Sequence, residues 1–365
     1  MKVYLDNNRA SVLDTQVLEV MQPIYTEHYA DPTALHGAAI EARAPLTQAH
    51  EKIRTAIHAR PEDTIIFDSS ADALHSRLLI ATYLSTVITG QKNQIILSAS
   101  ESDAVHETAA YIASQGCRVT VLPLGSDGII DLSLLKQIIT PKTALVSLTM
   151  VDPQTGAIMP IDEASQICAE HEVPLHSDAT HAIGKLPIDM QMLGLDYLTL
   201  STETVHGPAT AILAIKKGRS LPTLLLPTHS RADIVGIGKA LELADDAQAF
   251  EMEDVRELRD TLEEAIREIP ESLVLTSWAL RVPHTVMVGF KEVQSEALVW
   301  ELNRHGISIS SEKGRTLIEN IGLESSYRHT LVSFALSRYT TEEEINYTID
   351  KLKKAVALIR EERTH

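Results

Sequence analysis

The pattern of apolar and polar positions along the chain predicts the order of its strands and helices. From about residue 50 to about residue 250, short apolar runs alternate with amphipathic stretches of helical period. Strands that alternate with helices indicate βαβ units and a mainly parallel sheet, with ligands outside the carboxyl ends of the strands. The predicted strands are residues 64–68, 94–98, 118–122, 144–149, 174–177, 197–200 and 210–215. The predicted helices between them include residues 72–86, 104–115, 132–139 and 161–171.

The pattern changes in the last third of the chain. Residues 233–269 are helical in period and rich in Ala, Leu and Glu, which indicates a connecting helix or a helix pair. Beyond Pro270, strand-like and helical runs mix, which predicts a smaller α+β domain. Its strands are residues 273–275, 284–289 and 330–334, and its helices are residues 295–305 and 341–360. We therefore expect a large α/β domain at residues 14–250 and a small α+β domain at residues 1–13 and 251–365.

Composition narrows the class of protein. A chain of 365 residues with 44% hydrophobic content is long enough for two cores. Its net charge of −18 makes nucleic acid and anionic membranes unfavourable partners. The sequence has no apolar run of spanning length, and its start becomes polar too soon for a signal peptide. Two cysteines indicate a reducing compartment, so a cytoplasmic protein is expected.

Two predicted strand ends carry candidate chemistry. Asp178 ends one buried strand, and Ser201 ends the next, followed by Gly207 and Pro208. This layout resembles the cofactor strands of the cysteine desulfurases of the NifS/IscS type, pyridoxal-phosphate enzymes of the class V aminotransferase group. Further segments resemble that family in order and spacing, namely residues 4–8, 31–36, 41–43, 281–285 and 337–345. The resemblance implies fold type I of the pyridoxal-phosphate transferases, with a mainly parallel seven-stranded sheet flanked by helices.

The resemblance also implies a Schiff-base lysine, and this chain differs there. The family's Ser-Gly-His-Lys sequence corresponds to Ser201, Thr202, Glu203 and Thr204. A threonine hydroxyl forms no imine, and Glu203 would repel a phosphate where the family's histidine attracts one. The expectation is therefore no covalently bound cofactor, with pyridoxal phosphate possible only as a weak noncovalent ligand.

The remaining family positions also differ. The phosphate cradle corresponds to Ser70, Ala71 and Asp72, where Asp72 is expected to cap the helix and to compete with a phosphate for its amides. The ring-stacking histidine corresponds to Ser102, and the glutamine that contacts the ring hydroxyl corresponds to His181.

The family's nucleophilic cysteine is also missing. Its position corresponds to Arg315, in a shortened loop. Cys117 and Cys168 lie elsewhere and are interpreted as small core residues. No catalytic residue is therefore assigned, and Thr204 and Arg315 mark the two lost positions.

A residual cofactor site is nevertheless expected. Its members are Asp178, His181, Ser201 and Thr228, the last at a position where the family lends a hydroxyl to the partner subunit's phosphate. Lining candidates are Asp72, Ser102, Glu203 and His206. Asp178 is interpreted as inherited architecture. His176, Asp178, His181 and His206 together suggest a metal cluster, but His176 has no metal role in the family, and no metal is expected.

Three functions remain open. The first is a catalytically inactive desulfurase-like protein that binds or regulates partners in sulfur mobilisation or iron–sulfur assembly. It would form a homodimer, or a heterodimer with an active desulfurase, and an iron–sulfur scaffold protein is a further candidate partner. The second is an enzyme that binds pyridoxal phosphate noncovalently or performs other acid–base chemistry in the same site. The third is a structural or binding module unrelated to sulfur.

Overall fold

A seven-stranded sheet forms the centre of the computed structural model, which describes residues 1–219, 230–275, 280–311 and 323–363. The strand order is β2-β8-β7-β6-β5-β3-β4. β8 runs antiparallel to both of its neighbours, and all other pairs are parallel. The strands are β2 (Thr64–Asp68), β3 (Gln94–Ser98), β4 (Arg118–Leu122), β5 (Thr143–Thr149), β6 (Leu175–Asp178), β7 (Tyr197–Ser201) and β8 (Ala211–Ile215). The predicted mainly parallel seven-stranded sheet is confirmed.

Helices cover both faces of this sheet, as the alternating pattern predicted. The helix that follows β2 changes character after Thr82 and continues as a π-helical turn, Tyr83–Val87. The helices of this part are α1 (Thr15–Thr26), α2 (Gly37–Ala56), α3 (Ala71–Thr82), α4 (Asp103–Ser114), α5 (Leu132–Ile138) and α6 (Ile161–Glu170). Their buried apolar residues form two clusters, one on each side of the β-strands.

A single helix of 37 residues, α7 (Arg231–Arg267), follows the large sheet. The expected helix or helix pair is thus one helix. Two glycines allow it to lie close to its neighbours: a Cβ at Gly238 would come within 2.9 Å of the Ala49 Cα atom in α2. At Gly236 the nearest atom would be the Met21 sulfur in α1, at 2.7 Å.

The carboxyl-terminal part has its own sheet and core. Four strands pair antiparallel in the order β12-β13-β10-β9, and β1 pairs in parallel with β11. The strands are β1 (Val3–Tyr4), β9 (Ser272–Val274), β10 (Thr285–Phe290), β11 (Ile307–Ser308), β12 (Ser310–Ser311) and β13 (Leu331–Ala335). The helices are α8 (Ser295–Arg304) and α9 (Glu342–Arg363). Val3 and Leu5 pack into this core.

The domain division at residue 250 stays a prediction, and that residue lies inside α7. Among the helices in the described ranges, none has both the length and the apolar character that crossing a bilayer would require.

Candidate active site

The predicted site residues lie at the edge of the large sheet where β6 and β7 end. Asp178 is the last residue of β6, and Ser201 is the last residue of β7. The two strands are parallel neighbours, with Asp178 opposite Thr199. Because carboxyl ends of adjacent parallel strands share one edge, the fold brings these side chains together, at the place where such sheets bind ligands.

Thr180 links the two strand ends. Its hydroxyl donates to Asp178 Oδ1 at 2.7 Å and accepts from the Ser201 amide at 3.1 Å, while its own amide donates to the same carboxylate oxygen at 2.9 Å. Its carbonyl accepts from Thr204 Oγ1 at 2.8 Å. Thr204 is buried in the 3-10 turn Glu203–Val205, so the hydroxyl at the family's lysine position is used within the fold.

Burial raises the pKa values of the carboxyl groups at this edge of the sheet. It raises the pKa of Asp178 to about 6, against the hydrogen bonds from Thr180 and Thr199, and Asp72 raises it further. Burial also raises the pKa of Glu203, where Ser201 acts in the opposite direction and Asp72 adds to the rise. Asp72, Asp178 and Glu203 therefore lie within electrostatic reach of one another, which makes this side of the site acidic.

The start of α3 differs from the expectation that Asp72 caps it. Ser70 is the cap: its hydroxyl accepts from the Ala73 amide at 3.1 Å. The prediction for Asp72 is wrong because Ser70, in an extended conformation, already precedes the first helical residue. Asp72 lies in the first turn, where the helix dipole favours its charge.

The two predicted histidines have different surroundings. The Nδ1 atom of His181 is buried without a hydrogen-bond partner in the described ranges, and burial, helped by Lys185, lowers the pKa of this histidine to about 3. His206 instead places Nδ1 2.9 Å from the carbonyl oxygen of Val12, and its ring packs against Tyr339 with centroids 4.7 Å apart. His206 thus contacts the amino-terminal segment, and its role as a lining residue stays a prediction.

Ser102 caps α4, with its hydroxyl accepting from the Val105 amide at 3.3 Å. Its neighbour Glu101 is the group that faces the site, and sequence reasoning missed it. Glu101 accepts hydrogen bonds from the Ser98 and Thr149 hydroxyls, each at 2.8 Å. Burial raises the pKa of Glu101 to about 8, and the charge of Asp178 adds to the rise. A pKa of about 8 favours the protonated, neutral form of Glu101 in the folded protein at pH 7.

A buried chain of hydroxyls and imidazoles continues from this acid. His75 Nδ1 lies 3.7 Å from Glu101, and its Nε2 is 2.7 Å from Ser147 Oγ. The same hydroxyl is 2.6 Å from His176 Nδ1, and His176 Nε2 is 3.1 Å from Thr199 Oγ1. Burial lowers the pKa of His75 to about 3 and that of His176 well below its ordinary value.

These hydrogen bonds occupy the ring nitrogens of His176, one of the residues that suggested a metal cluster. Both ring nitrogens of His176 are already within hydrogen-bond distance of hydroxyls. Within the described ranges, no three His, Cys, Asp or Glu side chains are grouped so as to hold a metal ion.

The cysteines are remote from this edge. Cys117 precedes β4 at its amino end and is 4% exposed, and Cys168 lies in α6 and is 1% exposed. Burial raises the pKa of both thiols, that of Cys168 to about 12. The predicted positions Arg315 and Thr228 lie outside the described residues.

Comparisons with known proteins give the family. The aminotransferase class-V family matches residues 3–227 and 225–348. A cysteine desulfurase of Klebsiella pneumoniae is 30% identical over 379 residues, which cover 98% of this chain and 94% of that protein. The cysteine desulfurase IscS of Dictyoglomus turgidum is 30% identical over 381 residues, with 98% and 95% covered.

Solved structures agree with the sequence relatives. A NifS-like protein superposes with a TM-score of 0.93 at 27% identity and covers 98% of this chain and 100% of its own. The NifS-like protein of Rickettsia africae has a TM-score of 0.87 at 21% identity, with the same coverage, and shows the same fold.

These relatives correct the cofactor prediction. Cysteine desulfurases hold pyridoxal phosphate covalently, so the prediction of no covalent cofactor, with pyridoxal phosphate only a weak noncovalent ligand, is wrong for this group of homologues.

The side chains in place can be compared with what the cofactor requires. Asp178 lies at the strand end, as the family's aspartate does. Thr204, in contrast, has no amine, and its hydroxyl donates a hydrogen bond to the Thr180 carbonyl. Position 204 therefore does not fit the family's imine linkage.

Family membership rests on the extent of the match. The family matches residues 3–227 and 225–348, and the Klebsiella relative covers 98% of the chain. The seven-stranded sheet and Asp178 at the end of β6 are where the resemblance to the family implies them. The chain belongs to the aminotransferase class-V family and is a homologue of the cysteine desulfurases.

Proposed function

We propose that this protein is a cytoplasmic, cysteine desulfurase-like binding or regulatory protein that does not itself release sulfur from cysteine. The observation that carries this proposal is the burial of both of its cysteines. A persulfide forms on a thiolate that reaches the substrate sulfur, and such thiolates occur where a thiol is accessible and has a low pKa.

Neither thiol meets that requirement. The chain contains two cysteines, at 4% and 1% exposure. Burial raises the pKa of both, so each is a neutral thiol at physiological pH. Cys117 also precedes the amino end of β4, at the edge of the sheet opposite the strand end that carries Asp178. Desulfuration by a cysteine of this chain would require local unfolding.

A sulfide-release assay tests the proposal. The purified protein is incubated with L-cysteine, pyridoxal phosphate and a thiol reductant, and sulfide and alanine are both quantified. The Azotobacter vinelandii NifS relative, 29% identical over 378 residues, serves as the positive control. We expect no product above the protein-free background. Sulfide and alanine released in equal amounts, at a rate comparable to the control, would contradict the proposal.

An exposed apolar face supports the partner part of the proposal. Between residues 12 and 40, several large apolar side chains are exposed, with Leu35 92% and Val12 68% exposed. The N-terminal face, as we call it, comprises Val12, Leu18, Tyr25, Tyr29, Leu35 and Ile40. Several large apolar side chains exposed within one segment of the chain favour association with another protein. We infer that a second chain of the same fold covers it, either another copy or an active desulfurase.

The mass of the complex in solution tests this inference. We expect light scattering to show a dimer in one of two samples, the protein alone or the protein mixed with an active desulfurase. The sample in which the dimer forms identifies the partner. Leu35→Glu is expected to dissociate the dimer, because it would bury an unpaired charge. Met192→Glu, at an 82% exposed position outside the N-terminal face, is the matched control and should leave it intact. A monomer under both conditions would exclude such a partner.

A further inference from the structure

A cavity lies at the edge of the large sheet opposite the candidate active site. Its volume is about 350 Å³, and it is lined at the amino ends of three strands by Ala144, Pro174 and Tyr197. Tyr197 begins β7 and Ser201 ends it, so the two edges are separated by about 13 Å, at about 3.3 Å per residue. Pockets for small ligands start at roughly 300 Å³, so this one suits a compact metabolite.

Two cations border the cavity. Lys92 Nζ donates to the Thr143 carbonyl at 2.8 Å, and Arg219 Nε donates to Asp196 Oδ1 at 2.9 Å. Both side chains line the same cavity, and the charge of Arg219 adds to the effect of burial in lowering the pKa of Lys92. Each retains N–H groups for which the described part of the chain supplies no acceptor within hydrogen-bond distance. Paired N–H donors of this kind suit a carboxylate.

An acid also lines the cavity. Glu172 is exposed, its charge raises the pKa of Lys92, and its carboxylate makes no ion pair within the described ranges. It follows α6 in a left-handed conformation, with φ of 54°. A helix usually ends on glycine in that conformation, because a Cβ is unfavourable there. The backbone of Glu172 is therefore strained, and it lies beside a cavity lined by both positive and negative side chains. Backbone strain of this kind is frequent at functional sites.

Hydroxyls and apolar groups complete the lining. Thr86 donates to the Thr82 carbonyl at 2.8 Å and Ser85 to the Ala81 carbonyl at 2.7 Å, so their oxygens remain available as acceptors. Both belong to the π-helical turn, a rare element that is frequent at functional sites. Leu145 and Tyr197 supply apolar surface.

We propose that this cavity binds a small zwitterionic amino acid. Its carboxylate would be bound by Lys92 and Arg219, and its ammonium by Glu172 and the hydroxyls of the π-helical turn. Its side chain would pack on Leu145 and Tyr197. An amino acid with an apolar side chain uses both cations, the acid and the apolar surface together.

Isothermal titration tests the proposal with L-alanine, L-serine, L-cysteine and L-valine as separate probes. Two analogues of alanine remove one charge each: L-lactate has a hydroxyl in place of the ammonium, and ethylamine lacks the carboxylate. We expect at least one amino acid to bind, and lactate and ethylamine to bind at least about tenfold more weakly than alanine. No binding by any of the four amino acids would overturn the proposal, as would lactate binding as tightly as alanine.

Variants locate the binding. Arg219→Gln and Glu172→Gln should each weaken binding about tenfold or more, while Lys217→Gln, a 69% exposed cation of the same segment that does not line the cavity, should leave it unchanged. Asp178→Asn, at the opposite edge, should also leave it unchanged. Binding that Asp178→Asn abolishes and the cavity variants do not affect would place the amino acid in the other site and overturn the proposal. Circular dichroism confirms that each variant is folded.

Discussion

At the scale of single residues, the buried acid Glu101 is the most unusual group of the site. Its oxygens are satisfied by Ser98 and Thr149, yet burial raises the pKa of its carboxyl group to about 8, far above the value of 4.5 for a free side chain. The folded state therefore holds a proton that the unfolded state has lost above about pH 5. Stability falls as pH rises between these two pKa values.

Glu101→Gln removes this dependence. The amide keeps the shape of the protonated acid and cannot ionise, so the variant should gain in stability relative to the natural protein as pH rises from about 5 to 8. The gain should be at most about 1.4 kcal/mol per pH unit. Urea unfolding at a series of pH values measures it, with Glu264→Gln as a control at a glutamate of α7 that lies outside the site. A difference that does not vary with pH would contradict the assignment of the proton to Glu101.

Sequence reasoning reached some of these residues and missed others. Asp178 and Ser201 were placed at the correct strand ends because an apolar run followed by a polar residue marks the end of a buried strand. Thr180 and Glu101 were missed because their roles depend on which strands are neighbours. An aspartate followed two positions later by a threonine is a turn signal that would have pointed to Thr180.

At the scale of elements, close packing of α7 on α2 depends on Gly238. A Cβ there would lie 2.9 Å from the Ala49 Cα atom and 3.1 Å from its carbonyl oxygen, and backbone cannot move aside without shifting a helix. At Gly236 the nearest atom would be the Met21 sulfur, the flexible part of a side chain.

The two glycines therefore predict different results for the same substitution. Gly238→Ala should lower the free energy of unfolding by about 1–3 kcal/mol, since overpacking outweighs the gain in helix propensity. Gly236→Ala should cost less, because the methionine can change rotamer. Thermal unfolding of both variants measures the difference. Equal stabilities, or a more stable Gly238→Ala, would show that α7 and α2 are not packed so closely.

Several element boundaries followed from the apolar pattern of the sequence. The strands at residues 64–68, 94–98 and 118–122 have the predicted bounds. The helix predicted for residues 72–86 is an α-helix only as far as Thr82, and a π-helical turn follows it. The pattern of apolar positions does not distinguish these two helices. It also did not predict that β8 inserts antiparallel between β2 and β7, because strand order depends on tertiary pairing.

At the scale of the whole molecule, the family fold is retained, and both cysteines of the chain are buried. The structure superposes on a NifS-like protein with a TM-score of 0.93, yet both cysteines are buried away from the strand ends where Asp178 and Ser201 meet. Fold and activity are separable in this way because packing positions and reacting positions are different residues.

Detection of protein-bound persulfide tests this account most directly. The native protein is treated with L-cysteine and pyridoxal phosphate, alkylated without denaturant, digested and analysed by mass spectrometry, beside the Azotobacter vinelandii NifS relative. We expect Cys117 and Cys168 to carry no added sulfur, and the control protein to carry a persulfide. A persulfide on either cysteine of this chain, formed while the protein stays folded, would contradict it.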